Sequence, residues 1–245
     1  MAQNTLKKEK YFIDVFCNII IAVAVVFVFA LSIKDDIAQV FKSDTPQAYY
    51  RGDTSKNNIS LMINVYWGTE YIDGMLKVMD EENIKCTFFI GGSWAANNGE
   101  VLKEIAAHGH EIANHGYFHK DHKTLSRERN KEEIYVTEKV IESTCGIKTT
   151  LFAPPSGSYN KLTLDVAAEL GYKTIMWSRD TIDWRDKDTS LIYKRATSKA
   201  ANGDLILMHP TKNTLEALPN IIKTLKEKGF NLVTVSENIS TLKSV

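Results

Sequence analysis

Only three cysteines occur in 245 residues, Cys17, Cys86 and Cys145, and no two form a CxxC pair. That scatter argues against a disulfide framework and against a thiolate metal site. Cys86 sits in a strand-like run and reads as a small core residue. An excess of one charge is also missing, with 30 basic and 30 acidic side chains and a formal net charge of zero. Without a basic field the chain lacks the electrostatic footprint of a nucleic-acid binder. It has no low-complexity tract and no repeat at the periods of about 20–50 residues used by solenoids. What is present, 44% hydrophobic and 24% charged residues, fits one globular domain with an appendage.

The appendage is N-terminal. Lys7, Lys8 and Lys10 precede an apolar run, IIIAVAVVFVFALSI, from Ile19 to Ile33. Extended back to Phe12, the run crosses only Asp14, Cys17 and Asn18. Its length is about that of a bilayer-spanning helix, roughly 20 residues. The lysines before it place the N-terminus in the cytoplasm and the remainder outside. The expected layout is a tail at 1–11, an anchor at 12–33, a stalk at 34–57, a barrel at 58–240 and a tail at 241–245. That makes a single-pass protein of the cell membrane with its barrel on the extracytoplasmic side. Ala30-Leu31-Ser32 also offers small residues for cleavage, so a removed signal peptide is the alternative.

From Ile59 on, short apolar strands alternate with amphipathic helices. Strands are predicted at Leu61–Asn64, Cys86–Ile90, Glu111–Asn114, Leu151–Ala153, Thr174–Ser178, Asp204–Met208 and Leu232–Val235. Helices are predicted near 71–83, 99–107, 131–143, 159–170, 190–200 and 214–228. The last carries Leu215, Leu218, Ile222 and Leu225 at helical spacing, and Gly229 closes it. Seven strands joined by helices predict an α/β fold with a parallel sheet, closed or nearly closed into a barrel.

The chemistry-bearing stretch is Glu111-Ile-Ala-Asn-His115-Gly-Tyr-Phe-His119. It reads as a strand emptying into a loop or helical turn, where two imidazoles four residues apart can share a divalent metal. Asn64–Gly68, His115–His119, Pro154–Gly157, Asp180–Trp184 and His209 all fall at or just beyond predicted strand ends. Barrel enzymes assemble their sites on that rim. Trp67, Trp177 and Trp184, with Tyr66 and Tyr159 nearby, supply flat rings suited to a sugar groove. His108, His110 and His122 read as structural or exposed.

These motifs resemble, in order, those of the polysaccharide deacetylases, carbohydrate esterase family four with the NodB-homology fold. The resemblance covers residues 58–240. Asn114-His115-Gly-Tyr-Phe-His119 matches the second motif, Phe152-Ala-Pro-Pro-Ser-Gly157-Ser-Tyr-Asn160 the third, Trp177-Ser-Arg-Asp180-Thr-Ile-Asp183-Trp184 the fourth, and Leu207-Met-His209 the fifth. The run Leu61–Gly68, with the N-terminal anchor, looks like the sporulation-associated branch. The resemblance implies a distorted (β/α) barrel of about seven strands and metal-assisted hydrolysis of N-acetyl groups on a glycan such as peptidoglycan. His115 and His119 would hold zinc or another divalent metal. His209 would be the catalytic acid, oriented by Asp183. Tyr66, Trp67, Pro154, Pro155, Gly157, Tyr159 and Trp184 would bind substrate.

The first motif departs from the pattern. Its two aspartates, base and metal ligand, fall on Asn64 and Val65, or on Tyr66 and Trp67 if the register shifts by two. Neither pair holds a carboxylate. The third-motif arginine falls on Ala153. An amide at 64 can orient water but cannot take its proton usefully. Glu70, Asp73 and Asp180 are replacement ligands by proximity only. Two readings follow: a deacetylase with a degenerate site, or a catalytically inactive homologue that binds glycan or protein.

Overall fold

The computed structural model describes residues 19–25 and 45–242. The chain divides into two units, Met1–Thr45 and Pro46–Val245. In the first, residues 19–25 are helical and their apolar side chains are exposed. The rest of the expected anchor at 12–33 lies outside the described residues. Among the described residues no helix is long and apolar enough to cross a membrane.

Among its described residues the second unit holds nine short strands. They are β1 (Ala48–Tyr49), β2 (Asn58–Val65), β3 (Thr87–Ile90), β4 (Glu111–Asn114), β5 (Leu151–Phe152), β6 (Lys173–Ile175), β7 (Arg179–Asp180), β8 (Leu205–Met208) and β9 (Asn231–Leu232). The helices are α1 (Ile72–Glu81), α2 (Gly92–Asn97), α3 (Gly99–Ala107), α4 (Arg127–Cys145), α5 (Lys161–Glu169), α6 (Thr189–Thr197), α7 (Lys212–Glu227) and α8 (Val235–Ile239). All named strand pairs are parallel, in the order β1-β6-β5-β4-β3-β2-β8-β7, with β9 against the start of β2. One bent segment, residues 173–180, pairs with β5 through β6 and with β8 through β7. It links the two arms of the sheet and curls it into a distorted barrel.

Strand periodicity separates the two sides of the sheet. Along β2, Leu61, Ile63 and Val65 pack in the layer between sheet and helices, while Met62 belongs to the barrel interior. On α7, Leu218, Ile221, Ile222 and Leu225 are fully buried. Each such side chain is worth about 1.5–3 kcal/mol of burial.

Three expectations are corrected. The stalk does not run to residue 57: Ala48 and Tyr49 pair with β6, Arg51 forms an ion pair with Asp204 at 2.9 Å, and the Gly52 N–H reaches the Gly203 carbonyl at 2.7 Å. The strand expected at Leu232–Val235 ends at Leu232, and α8 begins at Val235. The reason is a capping box, in which Thr234 and Glu237 each accept the other's backbone N–H. Val235 and Ile239 then plug the barrel interior. The strand expected at Thr174–Ser178 is broken in the middle, where it changes neighbours.

A pH dependence follows from the packing beneath β3. His110 is buried, and its Nδ1 accepts the Cys86 N–H at 3.1 Å. Burial holds its pKa down at about 4. In the unfolded chain the ring titrates at about 6.5, so between those values the unfolded state binds the extra proton. Stability is therefore complete at neutral pH and falls as pH drops through that window. Urea midpoints at neutral pH and at pH 5 will differ more for the native chain than for His110→Gln.

Candidate functional site

The expected site residues converge on the rim where the strands end. A cavity of about 310 Å³ opens there, and its wall includes Asn64, Tyr66, His115, His119, Asp180 and His209. Ser156, Trp177, Trp184 and Leu207 complete it.

His115 follows the last residue of β4 and is fully buried. Its Nδ1 lies 2.8 Å from the Ala153 carbonyl. A carbonyl only accepts, so Nδ1 carries the proton and Nε2 keeps its lone pair. That Nε2 is buried and has no hydrogen-bond partner among the described residues. Burial, and next the neighbouring His119, holds the His115 imidazole well below the usual histidine range. Burial lowers His119 as well.

The segment from His115 to His119 is a loop, not a helical turn. Gly116 (φ +71°) and His119 (φ +54°) both adopt left-handed backbone. The Asn114 side chain fixes the loop's entry, donating to the Ile134 carbonyl at 2.8 Å and accepting the Gly116 N–H at 2.9 Å. Glu133, buried on α4, accepts the backbone N–H groups of Tyr117 and Phe118 at 2.8 and 2.7 Å. Sequence reading missed Glu133. The available signal was a polar stripe, Asn130, Glu133 and Thr137, on the helix's buried face. Glu133→Ala orphans two donors at about 1–3 kcal/mol each, so a loss of about 2–6 kcal/mol is expected in urea unfolding.

The acid side of the site is built around Asp183. Its buried carboxylate accepts three hydrogen bonds: from His209 Nδ1 at 2.8 Å, from the His209 backbone N–H at 2.6 Å and from the Thr214 hydroxyl at 2.5 Å. The first fixes the ring so that Nε2 is the nitrogen left for the cavity. Thr214 stands in the first turn of α7, capped by Thr211. The turn before Asp183 is strained: Ile182, β-branched, sits at φ +55°. Asp180 helps hold it by accepting the Ile182 N–H at 2.7 Å.

Aromatic rings occupy the opposite side. Tyr66 stacks on His119 with centroids 3.7 Å apart and planes 21° apart. Trp67 stacks on His209 at 5.3 Å. Burial, then the charge of Asp183, raises the Tyr66 hydroxyl above its ordinary pKa. Asn64 lines the cavity, and its Oδ1 is buried with no partner among the described residues. Val65 points instead into the sheet–helix layer, away from the cavity side of β2. Trp94 Nε1 donates to the Gly68 carbonyl at 2.7 Å and steadies the turn after Trp67.

The third-motif residues act mainly as backing. Pro154 and Pro155 are buried, and an added Cβ on Gly157 (φ +65°) would meet the Trp177 ring at 2.7 Å. The Tyr159 hydroxyl bonds that of Tyr50 at 2.8 Å and is not part of the cavity wall. Trp184 and Trp67 lie on a second, open cavity of about 600 Å³ next to the first. Sequence reasoning did not single out Ser156 or Leu207, which become wall residues only through the fold.

A catalytic zinc site uses three protein ligands and an open position. His115 and His119 supply two, with ring centroids 5.2 Å apart. Among the described residues no group of three His, Cys, Asp or Glu side chains is placed to hold one metal ion. Asp73 is engaged with Lys77 at 2.8 Å, and Glu70 accepts the Thr69 N–H. The donor set is one short of the catalytic one.

The profile of the polysaccharide deacetylase family matches residues 51–175. The protein YlxY of Bacillus subtilis is 44% identical over 192 residues, 78% of this chain and 60% of that one. The chain belongs to the polysaccharide deacetylase family. Peptidoglycan-N-acetylglucosamine deacetylase PgdA of Listeria monocytogenes is 32% identical over 67% of this chain, which spans 35% of that enzyme's length. BA3943 of Bacillus anthracis, described as a CE4 family pseudoenzyme, is 37% identical with a TM-score of 0.77, covering 79% of this chain and 69% of that one. A mutant of BA3943 with restored enzymatic activity has the same TM-score, at 35% identity over 79% of this chain and 71% of that one. Deacetylases of this family are generally metal-dependent. This member has the family's fold and cleft with a degenerate site.

Proposed function

We propose that this chain binds the amino-sugar glycan of peptidoglycan in its rim cleft and that its hydrolytic machinery is incomplete. The carrying observation is the pair of aromatic stacks, Tyr66 on His119 and Trp67 on His209. In the second register of the first motif these two residues stand where the family has its base and its metal-ligating aspartate. No step through a metal follows from a two-histidine set. What the chain's own residues do is hold a glycan: rings for sugar faces and a fixed imidazole at His209. Similarity to a peptidoglycan deacetylase and to a pseudoenzyme supports this ligand and this silence.

A second reading, slow metal-assisted N-deacetylation, is favoured by one observation. The Asp183–His209–Thr214 arrangement is what a leaving-group acid needs. Acetate release from peptidoglycan and chitooligosaccharide decides between the two, using zinc-supplemented full chain beside His115→Ala. The expected result is no difference between the proteins, with glycan retained in pull-down. Release that disappears in His115→Ala would establish the second reading.

The apolar run at 12–33 supports placing the protein in the cell membrane with its barrel outside. Service in the sporulating cell belongs to the same proposal. Protease accessibility of the barrel in intact cells tests the orientation.

A further inference from the structure

The two histidines of the cleft are spaced for a shared ion but are not open to one. Two imidazoles on one tetrahedral zinc hold their ring centres about 5 Å apart. Those of His115 and His119 are 5.2 Å apart. A third donor is not all that such a site needs, because the ion also has to reach the ring nitrogens. His115 Nε2, the nitrogen left with a lone pair, is buried beyond the contact of water, although its ring belongs to the cavity wall. Two rings pack beside it: His119, and Tyr66 at 5.8 Å between centroids.

The Tyr66 ring is central to the cluster. It stacks on His119 at 3.7 Å, and its centroid lies 6.3 Å from that of His209. Its face is carbon and offers an ion none of the nitrogen, oxygen or sulfur donors that zinc takes. Its position is braced from three sides. Trp67 meets the ring edge-on at 4.2 Å, and Trp94 holds the turn that follows through the Gly68 carbonyl. Gly91 leaves room behind it, since a Cβ added there would come within 3.1 Å of the Tyr66 Cβ. We propose that Tyr66 is a built-in plug that excludes divalent metal from the His115–His119 pair. The pair then serves as the floor on which the ring packs. The inference rests on the reading of an incomplete hydrolytic site and deepens it. The chain has lost the first-motif carboxylates and has also closed the place where an ion would sit.

The test is calorimetric titration of the full chain with zinc chloride. The native chain and Tyr66→Phe, which keeps the ring and removes the hydroxyl, are expected to show no zinc binding that depends on His115 and His119. Tyr66→Ala is expected to bind zinc at least about tenfold more tightly than the native chain, the low end of what groups around a metal site change in its affinity. That gain should vanish when His115→Ala or His119→Ala is added. Binding that requires both histidines cannot come from an unfolded chain, which would also use its other histidines. Equal zinc affinity in the native chain and Tyr66→Ala, whether tight or absent, would overturn the plug. Native binding that is lost in Tyr66→Phe would also overturn it and make the hydroxyl a ligand. Zinc bound by the native chain without acetate release overturns the plug only. Zinc bound with acetate release overturns the incomplete-site reading as well.

Discussion

Replacing Asp183 with alanine is expected to cost about 3–5 kcal/mol of stability, the scale of breaking a buried charged network from one side. The side chain is fully buried and accepts three hydrogen bonds. Its loss strands the His209 backbone N–H, the His209 ring N–H and the Thr214 hydroxyl together. Two of these anchor the end of β8 and one anchors the start of α7, so the damage reaches both elements. Asp183→Asn keeps the shape but replaces one acceptor oxygen with a donor. It should cost less, about 1–3 kcal/mol, the scale of one or two unmade buried hydrogen bonds. Urea unfolding measures both. A cost under about 1 kcal/mol for alanine, within the range of ordinary surface changes, would show that the network is not holding the rim.

The second large effect is a gain. Tyr66→Asp with Trp67→Asp and Ala153→Arg should create acetate release at least about 100-fold above the native chain with zinc present, the low end of general acid–base contributions. Two carboxylates supply the missing base and third ligand. Ala153 is fully buried on the barrel interior, so an arginine there is tolerable only beside a carboxylate. Asn64→Asp with Ala153→Arg is the control for the other register. If activity follows that pair instead, the first-motif aspartates belong at 64 and 65. If neither variant releases acetate while zinc is bound by metal analysis, the retained Asp183–His209 pair has no catalytic role. Restored activity in a mutant of the pseudoenzyme BA3943 shows that such a gain is attainable in a relative.

The choice between registers shows where sequence reasoning stops. A shift of two residues keeps every side chain of a strand on the same face, so alternation alone cannot separate Asn64 from Tyr66. The structure adds the end point of β2 at Val65. Beyond it the chain turns, and Tyr66 lies over His119 and Trp67 over His209. Asn64 stays on the strand and lines the cavity. The helices were readable because their apolar spacing is local: predicted and observed ranges coincide for α3 and differ by a few residues for α1, α5, α6 and α7. The helix α8 was also readable in principle, since Thr234 and Glu237 spell a capping box. The β-prone run Leu232-Val-Thr-Val235 predicts strand instead, and the cap at Thr234 overrides it.

By itself, the sequence determined the alternation of strands and helices, the histidine pair at 115 and 119, the Asp183–His209 pair and the absence of first-motif carboxylates. Each is a matter of residue identity or of periodicity within one element. Tertiary structure decided that Ser156, Asp180 and Leu207 share a wall with Asn64, that Glu133 holds the histidine loop, and that Tyr66 stacks on His119. Those relations join residues from separate strands and loops. They depend on how the sheet curls and on where each strand ends, quantities set by packing between elements and by no local pattern.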